Sequence, residues 1–399
     1  MLSSLRKFSE TLTAKIFIAL IALSFVFWGI NDFYKSSYNN AIAEIDLMTV
    51  SIANVWALGT KDMSKVGNGF DVSDSNNEIL IANWPVKTFY QPDGIANYTV
   101  GGTTYLVTAN EGDEKEYGAF TERVAVSAGA YTLDATNFPN ASVLKQNYNL
   151  GRFRATNLNG NIDVDADFET INCVGTRSFS IFNTTTKQIV FDSGDDFERY
   201  TAANLPTLFN ADHENNTPKG RSRAKGPEPE GVTVAQIATE TFAFVSLERV
   251  GGVMVYNITD PNNPVFVDYK NSRSTSAYSG DHGPEGITYI APANSATGKG
   301  YVLVANEISG TITIYEVDEN TLSASDFNAN SKTFVIFPNP ASNSELVYFN
   351  RKADIELYDL TGKLILSEKE ALTINISQLH SGVYILKTSE GITKRLVVK

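Results

Sequence analysis

Short runs of β-branched and aromatic residues, separated by turn-forming residues, recur along most of the chain. Between residues 226 and 270 four such runs follow one another: "GVTVAQI", "TFAFVSLE", "GGVMVYNI" and "PVFVDYK". Runs of this composition, bounded by Gly, Pro, Asn and Asp, predict short β-strands. The segment is therefore predicted to form four consecutive antiparallel strands.

Two other segments repeat this pattern. Each copy begins with Pro, an acidic residue and Gly, and the second strand of each copy ends with Glu. The beginnings are Pro92-Asp93-Gly94, Pro229-Glu230-Gly231 and Pro284-Glu285-Gly286, and the ends are Glu111, Glu248 and Glu307. The spacing from Pro to Glu is 19 residues in the first two copies and 23 in the third, which has a longer polar turn. Three copies with shared spacing indicate a repeat architecture.

Four antiparallel strands in a unit of about 40 to 50 residues are typical of a β-propeller blade. A further blade is predicted at residues 172–200, where "SFSIFNTTTKQIVFDSGDD" forms a hairpin around Thr184-Thr185-Thr186. The predicted fold class is all-β: a partial β-propeller of four-stranded blades, with an array of β-sandwiches as the alternative.

The repeated acids are the first candidate for chemistry. In a propeller the inner strands line a central channel and their ends open onto one face. The acids of successive copies are therefore expected to meet around one mouth, and they are Asp93, Glu111, Glu230, Glu248, Glu285 and Glu307. Carboxylate oxygens are the ligands that Ca²⁺ prefers. Two interpretations remain open: a calcium site, or acids that each accept backbone N–H bonds within their own blade.

Two further polar segments are candidates. Asp163, Asp165 and Asp167 alternate in "NIDVDADFE", which predicts a loop-type calcium site or a polar turn; an EF-hand is excluded because its sixth position would be Phe168. Arg221, Arg223 and Lys225 precede the second acidic motif and would either hold a phosphate group or form a solvated basic loop.

Composition limits the function classes. The net charge is −13 and the sequence pI about 4.8, so a nucleic acid is not expected as a partner. The single cysteine, Cys173, cannot form an intrachain disulfide and is expected to be a buried hydrophobe. His282 lies three residues before Glu285 and either joins a site at the mouth or has a solvated or capping role. No G-x-S-x-G, H-E-x-x-H or Walker A motif is present.

The N-terminal segment, residues 1–40, predicts export. Basic residues precede "IFIALIALSFVFWGI" at residues 16–30, an apolar run that predicts a helix acting as a signal peptide or as an uncleaved membrane anchor. The first 33 residues resemble the membrane-anchoring start of periplasmic folding factors of the SurA/PpiD type. The resemblance does not extend into an isomerase domain.

The C-terminal segment begins after a polar linker predicted at residues 318–333. Residues 334–399 have short alternating strands and are predicted to form a small β-sandwich. The segment contains Phe337-Pro338-Asn339-Pro340, "ELYDLTGKLIL" and "SGVYILK". With these motifs it resembles the C-terminal sorting domain of the Bacteroidetes type IX secretion system. The resemblance implies contact with that secretion machinery and a location at the outer-membrane surface or outside the cell.

The central region, residues 41–317, contains "YLVTANEGDEKEY", "KGPEPEGV" and "LERVGGVMVYNITDP". These motifs resemble the choice-of-anchor I family of extracellular bacterial domains, which implies a propeller. Some family members have names that suggest alkaline phosphatase, and the repeated acids are distantly similar to those of β-propeller phytases. The N-terminal blades of the family are not recognised here, and an open ring would leave unpaired strand edges that favour association.

Two functions are consistent with the sequence. The first is a noncatalytic surface propeller, stabilised by Ca²⁺, that binds a surface polymer or a partner protein. The second is a Ca²⁺-dependent phosphoester hydrolase in which the basic residues hold the phosphate.

Overall fold

The computed structural model describes residues 15–19, 40–163, 165–318, 336–337, 339, 341 and 346–398. The chain divides into two compact units, Met1–Ala324 and Ser325–Lys399. Strands dominate both units, so the all-β prediction is confirmed.

A three-stranded antiparallel sheet comes first in the N-terminal unit. It consists of β1 (Lys15–Ala19), β2 (Ala41–Asp46) and β3 (Ser51–Ala57). An N-terminal apolar helix is not shown: residues 16–19, the described part of the apolar run, pair with β2 as a strand. Ile and Phe favour strands where a pairing partner is present, which accounts for the difference. Residues 20–30 lie outside the described residues. Among the helices that the structure describes, none has the length and apolar character needed to cross a membrane.

Three antiparallel sheets contain the repeated motif, and we name them the first, second and third repeat sheets. The first consists of β6 (Ile95–Val100), β7 (Thr103–Ala109), β13 (Phe179–Asn183) and β14 (Gln188–Asp192). The second consists of β15 (Pro229–Ile237), β16 (Glu240–Leu247), β17 (Val253–Asn257) and β18 (Val265–Lys270). The third consists of β19 (Pro284–Ile290), β20 (Gly300–Asn306) and β21 (Thr311–Val317).

Two details of the repeats differ from the prediction. The hairpin of β13 and β14 is present but is not a separate blade, because β13 pairs with β7 and completes the first repeat sheet in the order β14-β13-β7-β6. The third repeat sheet has three described strands where four were predicted. Only the second repeat sheet is formed by four consecutive strands, because its strands are joined by short turns.

Residues 110–178, between β7 and β13, form smaller elements. These are β8 (Glu116–Tyr117), β9 (Phe120–Thr121), β10 (Arg123–Ala125), α1 (Ala141–Leu144), β11 (Arg154–Thr156) and β12 (Ile171–Val174). Strand β12 pairs in parallel with β5 (Val86–Phe89), which pairs with β4 (Thr60–Asp62). Cys173 on β12 is buried in the hydrophobic core of this region, in agreement with its sequence setting. Helix α2 (Asp196–Asn204) follows β14, and a 3₁₀ turn occupies Pro292–Asn294.

The sheets of the N-terminal unit pack in series. Phe182 and Leu106 of the first repeat sheet contact Ile42 and Trp56 of the β2–β3 hairpin. The other face of the first repeat sheet shares a hydrophobic core with the second repeat sheet. The second repeat sheet shares another core, on its far face, with the third repeat sheet. Successive side chains of a strand point to opposite faces of its sheet. A central sheet with apolar side chains on both faces can therefore pack against a neighbour on each side. No closed ring of sheets is formed by the residues that the structure describes, so the propeller stays a prediction.

The C-terminal unit has its own hydrophobic core. Its strands are β22 (Ile336–Phe337), β23 (Leu346–Tyr358), β24 (Leu364–Asn375), β25 (Gly382–Thr388) and β26 (Thr393–Val398). All five are linked by hydrogen bonds into one sheet, because the long strand β23 pairs with β22, β24 and β25. The sequence predicted a sandwich of two sheets, and the length of β23 could not be read from the pattern.

Candidate functional site

The six repeated acids lie at the same end of the three repeat sheets. In each hairpin the start of the first strand is opposite the end of the second: Pro229 pairs with Leu247, and Pro284 pairs with Asn306. Antiparallel pairing therefore places the acid that follows each Pro beside the Glu that follows the second strand.

The glycines of the first two motifs bring neighbouring sheets close together. The N–H of Gly94 donates a hydrogen bond of 2.8 Å to the carbonyl oxygen of Glu230. A Cβ atom at Gly94 would lie 2.5 Å from that oxygen, and a Cβ atom at Gly231 would lie 2.8 Å from the carbonyl oxygen of Glu285. Only glycine allows this approach of two backbones. The motif thus sets the sheet separation that places the acids of successive copies next to one another.

Asp93, Glu111 and Glu230 form a cluster that we name the acidic triad. One carboxylate oxygen of each residue lies within 4.8 Å of the other two. Glu230 is 5% exposed, and its Oε2 atom is buried without a hydrogen-bond partner. Burial raises the pKa of Glu230 strongly, and the neighbouring Glu111 and Asp93 raise it further. Without a cation these surroundings favour the protonated, uncharged form of Glu230, and its ionised form would need a bound cation as counter-charge.

A second group of acids beside the triad is neutralised. Glu228 is 0% exposed, and its carboxylate contacts Arg221 Nε at 2.9 Å, Lys225 Nζ at 2.9 Å and Arg249 Nε at 3.1 Å. Burial alone would raise the pKa of Glu228, but these three cations hold it far below its usual range. Lys225 also pairs with Glu111 of the acidic triad. Glu111 thus lies between the neutralised group and the triad.

Glu248 belongs to the neutralised side of the site. Its Oε1 atom lies 2.9 Å from His213 Nδ1, and its Oε2 atom lies 3.2 Å from Arg249 Nε. His213, Glu228 and Arg249 were not identified as site residues from the sequence. A signal was nevertheless present, since Glu228 and Arg249 adjoin the repeated motifs in "GPEPEG" and "LERVGG".

Glu285 and Glu307 of the third repeat sheet form a more open pair. Burial raises the pKa of Glu285, and a hydrogen bond shared with Glu307 raises it further. The charges of Glu248 and Asp93 act in the same direction, so this pair adjoins the other acids.

The three basic residues proposed for phosphate binding are all engaged with carboxylates. Arg221 and Lys225 contact Glu228, as described above. Arg223 Nε lies 2.8 Å from Asp74 Oδ2. Since each cation has an acidic partner, the group forms an ion-pair network instead of a solvated loop.

Asp163, Asp165 and Asp167 lie on the loop between β11 and β12. One oxygen each of Asp163, Asp165 and Glu169 lies within 4.8 Å of the others, so Glu169 joins the group in place of Asp167. The backbone N–H of Asp167 donates to Asp165 Oδ1 at 2.8 Å, a typical turn contact. Asp163 and Asp165 are exposed.

His282 is buried, and its ring lies 4.4 Å from that of Tyr278. Burial lowers the pKa of His282, and the charge of Arg273 lowers it further. His282 is therefore not a solvated residue, which was one alternative expected from the sequence.

Comparison with known proteins identifies two regions of the chain. The profile of the choice-of-anchor I domain matches residues 37–261, and that of the secretion system C-terminal sorting domain matches residues 335–399. The third repeat sheet lies beyond the first match. The resemblance of the first 33 residues to periplasmic folding factors is not supported.

Two curated relatives share part of the chain. Gigasin-3a of Magallana gigas is 28% identical over 184 residues, which are 42% of this chain and 64% of the relative. A mesenchyme-specific cell surface glycoprotein of Strongylocentrotus purpuratus is 23% identical over 298 residues, which are 66% of this chain and 36% of the relative. The chain thus spans less than two thirds of the length of either relative.

The solved structures give a much weaker likeness. An exo-β-1,3-galactanase of Phanerochaete chrysosporium, crystallised with β-1,3-galactotriose, has a TM-score of 0.25 and 10% identity, with 85% of this chain and 63% of the galactanase covered. This likeness is too weak to define a fold.

The type IX sorting domain establishes export to the cell surface or the extracellular space and implies interaction with the secretion machinery. The other profile match covers more than half of the chain. The protein therefore belongs to the choice-of-anchor I family.

Proposed function

We propose that this exported protein is a noncatalytic binding module whose repeat sheets, arranged as part of a propeller, are held together by a calcium ion in the acidic triad. The observation that carries the proposal is the buried Oε2 atom of Glu230, which has no hydrogen-bond partner and lies in a cluster with Asp93 and Glu111. A buried carboxylate without a compensating group is unfavourable, so a cation is the expected complement.

The geometry of the acidic triad suits Ca²⁺. Calcium binds oxygen ligands at about 2.3–2.6 Å, so two oxygens on one ion are at most about 5 Å apart. The triad oxygens lie within 4.8 Å of one another and come from two different sheets. The donors are all carboxylates, which favours a hard cation over zinc. Water molecules would complete the six to eight ligands that calcium takes.

The serial packing of the repeat sheets supports the propeller part of the proposal, because their acids lie at one common end. A polymer or protein ligand at the cell surface is the expected binding partner. The phosphoester hydrolase alternative lacks support, since Arg221, Arg223 and Lys225 are each paired with carboxylates.

Calcium is expected to stabilise the N-terminal unit through Glu230. At a concentration 100 times its Kd, calcium would add about 2.7 kcal/mol and raise the Tm by roughly 5–10 °C. The variant Glu230→Gln removes one ligand charge and should lose most of this shift. Titration calorimetry and thermal melts with Ca²⁺ or EGTA measure both effects.

Two control variants locate the calcium site. Glu316→Gln changes an exposed acid and should bind calcium as the wild type does, and so should Asp163→Asn on the β11–β12 loop. Equal binding by Glu230→Gln and wild type would place the ion elsewhere. Calcium-dependent turnover of p-nitrophenyl phosphate or phytate, lost in Glu230→Gln, would contradict a noncatalytic role.

In calcium-free buffer, the stability of the N-terminal unit is expected to fall as the pH rises from 5 to 8. Burial, opposed by Lys225, raises the pKa of Glu111 to about 8, and burial also raises the pKa of Glu230. The folded protein therefore keeps protons that the unfolded chain releases above its ordinary Glu pKa of about 4.3, so this contribution is lost as the pH rises. Urea unfolding in EGTA at several pH values measures the slope. Glu230→Gln should have a shallower slope than the wild type; equal slopes would contradict the assignment.

A further inference from the structure

No sheet among the described residues packs against the glycine of the third motif. Gly94 and Gly231 each lie against the backbone of the next repeat sheet, since a Cβ atom added at either glycine would lie 2.8 Å or less from a backbone oxygen of that sheet. A Cβ atom at Gly286 would meet only the Cβ of Ala305, at an ordinary contact distance of 3.7 Å. The third repeat sheet thus has the glycine that permits close sheet packing, although none of the described sheets covers this glycine.

The face around Gly286 is largely apolar and partly exposed, and Thr288 also lies on it. We name it the outer face; it contains Gly286 of β19, Leu303 and Ala305 of β20, and Ile312 and Ile314 of β21, which the strand register places side by side. Ile312 is 69% exposed and Ile314 is 60% exposed. Tyr315 and Val317, which alternate with them, pack on the opposite side against the second repeat sheet.

The corresponding face of the second repeat sheet is an established interface. Phe244, Val253 and Val255 of that face are buried in the core shared with the third repeat sheet. The rings of Phe244 and Tyr289 stack there with centroids 6.2 Å apart. Sheet-on-sheet packing therefore continues in one direction until the outer face, where it stops among the described residues.

We propose that the outer face binds the outer face of a second copy of this chain, related to the first by a twofold axis. A twofold interface requires a self-complementary surface. The outer face meets this requirement when the axis runs along the strands between β20 and β21, because Ile312 and Ile314 of one copy would then contact Ala305 and Leu303 of the other. At its end Lys299 and Glu316, 2.6 Å apart and both exposed, offer one charge of each sign. In the pair, Lys299 of each copy faces Glu316 of the other.

The outer face is small for a protein interface. Three strands of seven residues span about 23 by 14 Å, or roughly 330 Å² per copy. Stable dimers bury about 800 Å² per partner. The pair is therefore a weak, concentration-dependent dimer, and its formation does not depend on the calcium site.

Sedimentation velocity of the full chain over a wide concentration range tests the proposal. The wild type should shift from monomer towards dimer as concentration rises. Ile312→Lys combined with Ile314→Lys should weaken dimerisation at least about tenfold, because charged side chains would then lie against Ala305 and Leu303 of the other copy. Val66→Lys, at a loop residue that is 72% exposed, is the matched control and should behave as the wild type. A wild type that stays monomeric, or a double variant that associates as strongly, would overturn the proposal.

A charge exchange tests the twofold pairing itself. Lys299→Glu and Glu316→Lys should each weaken self-association, since like charges then face each other across the axis. An equimolar mixture of the two variants should restore dimers, because opposite charges again meet. Failure of the mixture to recover, or growth into open polymers, would exclude a twofold outer-face dimer. Unchanged circular dichroism and melting in each variant separate lost association from lost folding.

Discussion

Glu228→Gln is expected to destabilise the N-terminal unit by about 3–5 kcal/mol, because it leaves buried cations without their shared counter-charge. Glu228 is 0% exposed and is contacted by Arg221, Lys225 and Arg249. Glutamine keeps the shape of the side chain but not its charge. Desolvated cations that lose their partner cannot recover the lost interaction from solvent. Guanidinium unfolding of the variant and the wild type measures the difference.

The matched control is Glu316→Gln, which breaks the exposed pair with Lys299 and should cost about 0–1 kcal/mol. A second variant tests the cause. Lys225→Met added to Glu228→Gln removes one of the cations that Glu228 neutralises, so the double variant should lose less stability than the sum of the two single variants. A loss below about 1 kcal/mol in Glu228→Gln would show that the network does not depend on this carboxylate.

Gly94→Ala is expected to cost about 2–3 kcal/mol, whereas Gly286→Ala should change stability by less than about 1 kcal/mol. The two glycines occupy the same position of the repeated motif. A Cβ at Gly94 would lie 2.5 Å from the carbonyl oxygen of Glu230, and it would disturb the hydrogen bond of 2.8 Å that the Gly94 N–H donates to that oxygen. A Cβ at Gly286 would make only an ordinary contact of 3.7 Å with the Cβ of Ala305.

The two glycine variants are also expected to differ in calcium binding. Because the first and second repeat sheets supply the acidic triad, their forced separation in Gly94→Ala should weaken calcium binding, while Gly286→Ala should leave it unchanged. Thermal melts and calcium titrations of both variants measure these effects. Equal stability of the two variants would mean that the close approach of the sheets does not constrain this position.

Much of the central fold could be predicted from the repeated motif. Pro, an acid and Gly at fixed spacing predicted the hairpins and placed the six acids at one end of their sheets. The sequence did not indicate that β13 pairs with β7. That contact joins strands separated by residues 110–178, and hydrophobic periodicity contains no information about pairing at such a distance.

The ion pairs formed by the basic residues of the site could not be predicted from the sequence. Arg221, Arg223 and Lys225 looked like a basic loop because two of their partners, Glu111 and Asp74, are brought to them only by the tertiary fold. Glu228 and Glu230 are two residues apart, which in an extended strand would place both side chains on one face. The φ angle of Glu228 is 52°, outside the extended range, so the two carboxylates meet different neighbours.

The strand order of the first repeat sheet has a consequence for folding speed. The second and third repeat sheets close only short loops, but the first must bring β13 back to β7 across residues 110–178. The entropic cost of closing a loop grows slowly with its length, so the insertion costs little equilibrium stability. Folding rate, however, falls as contacts become less local. The first repeat sheet is therefore expected to form more slowly than the β15–β18 sheet, whose strand pairings are local.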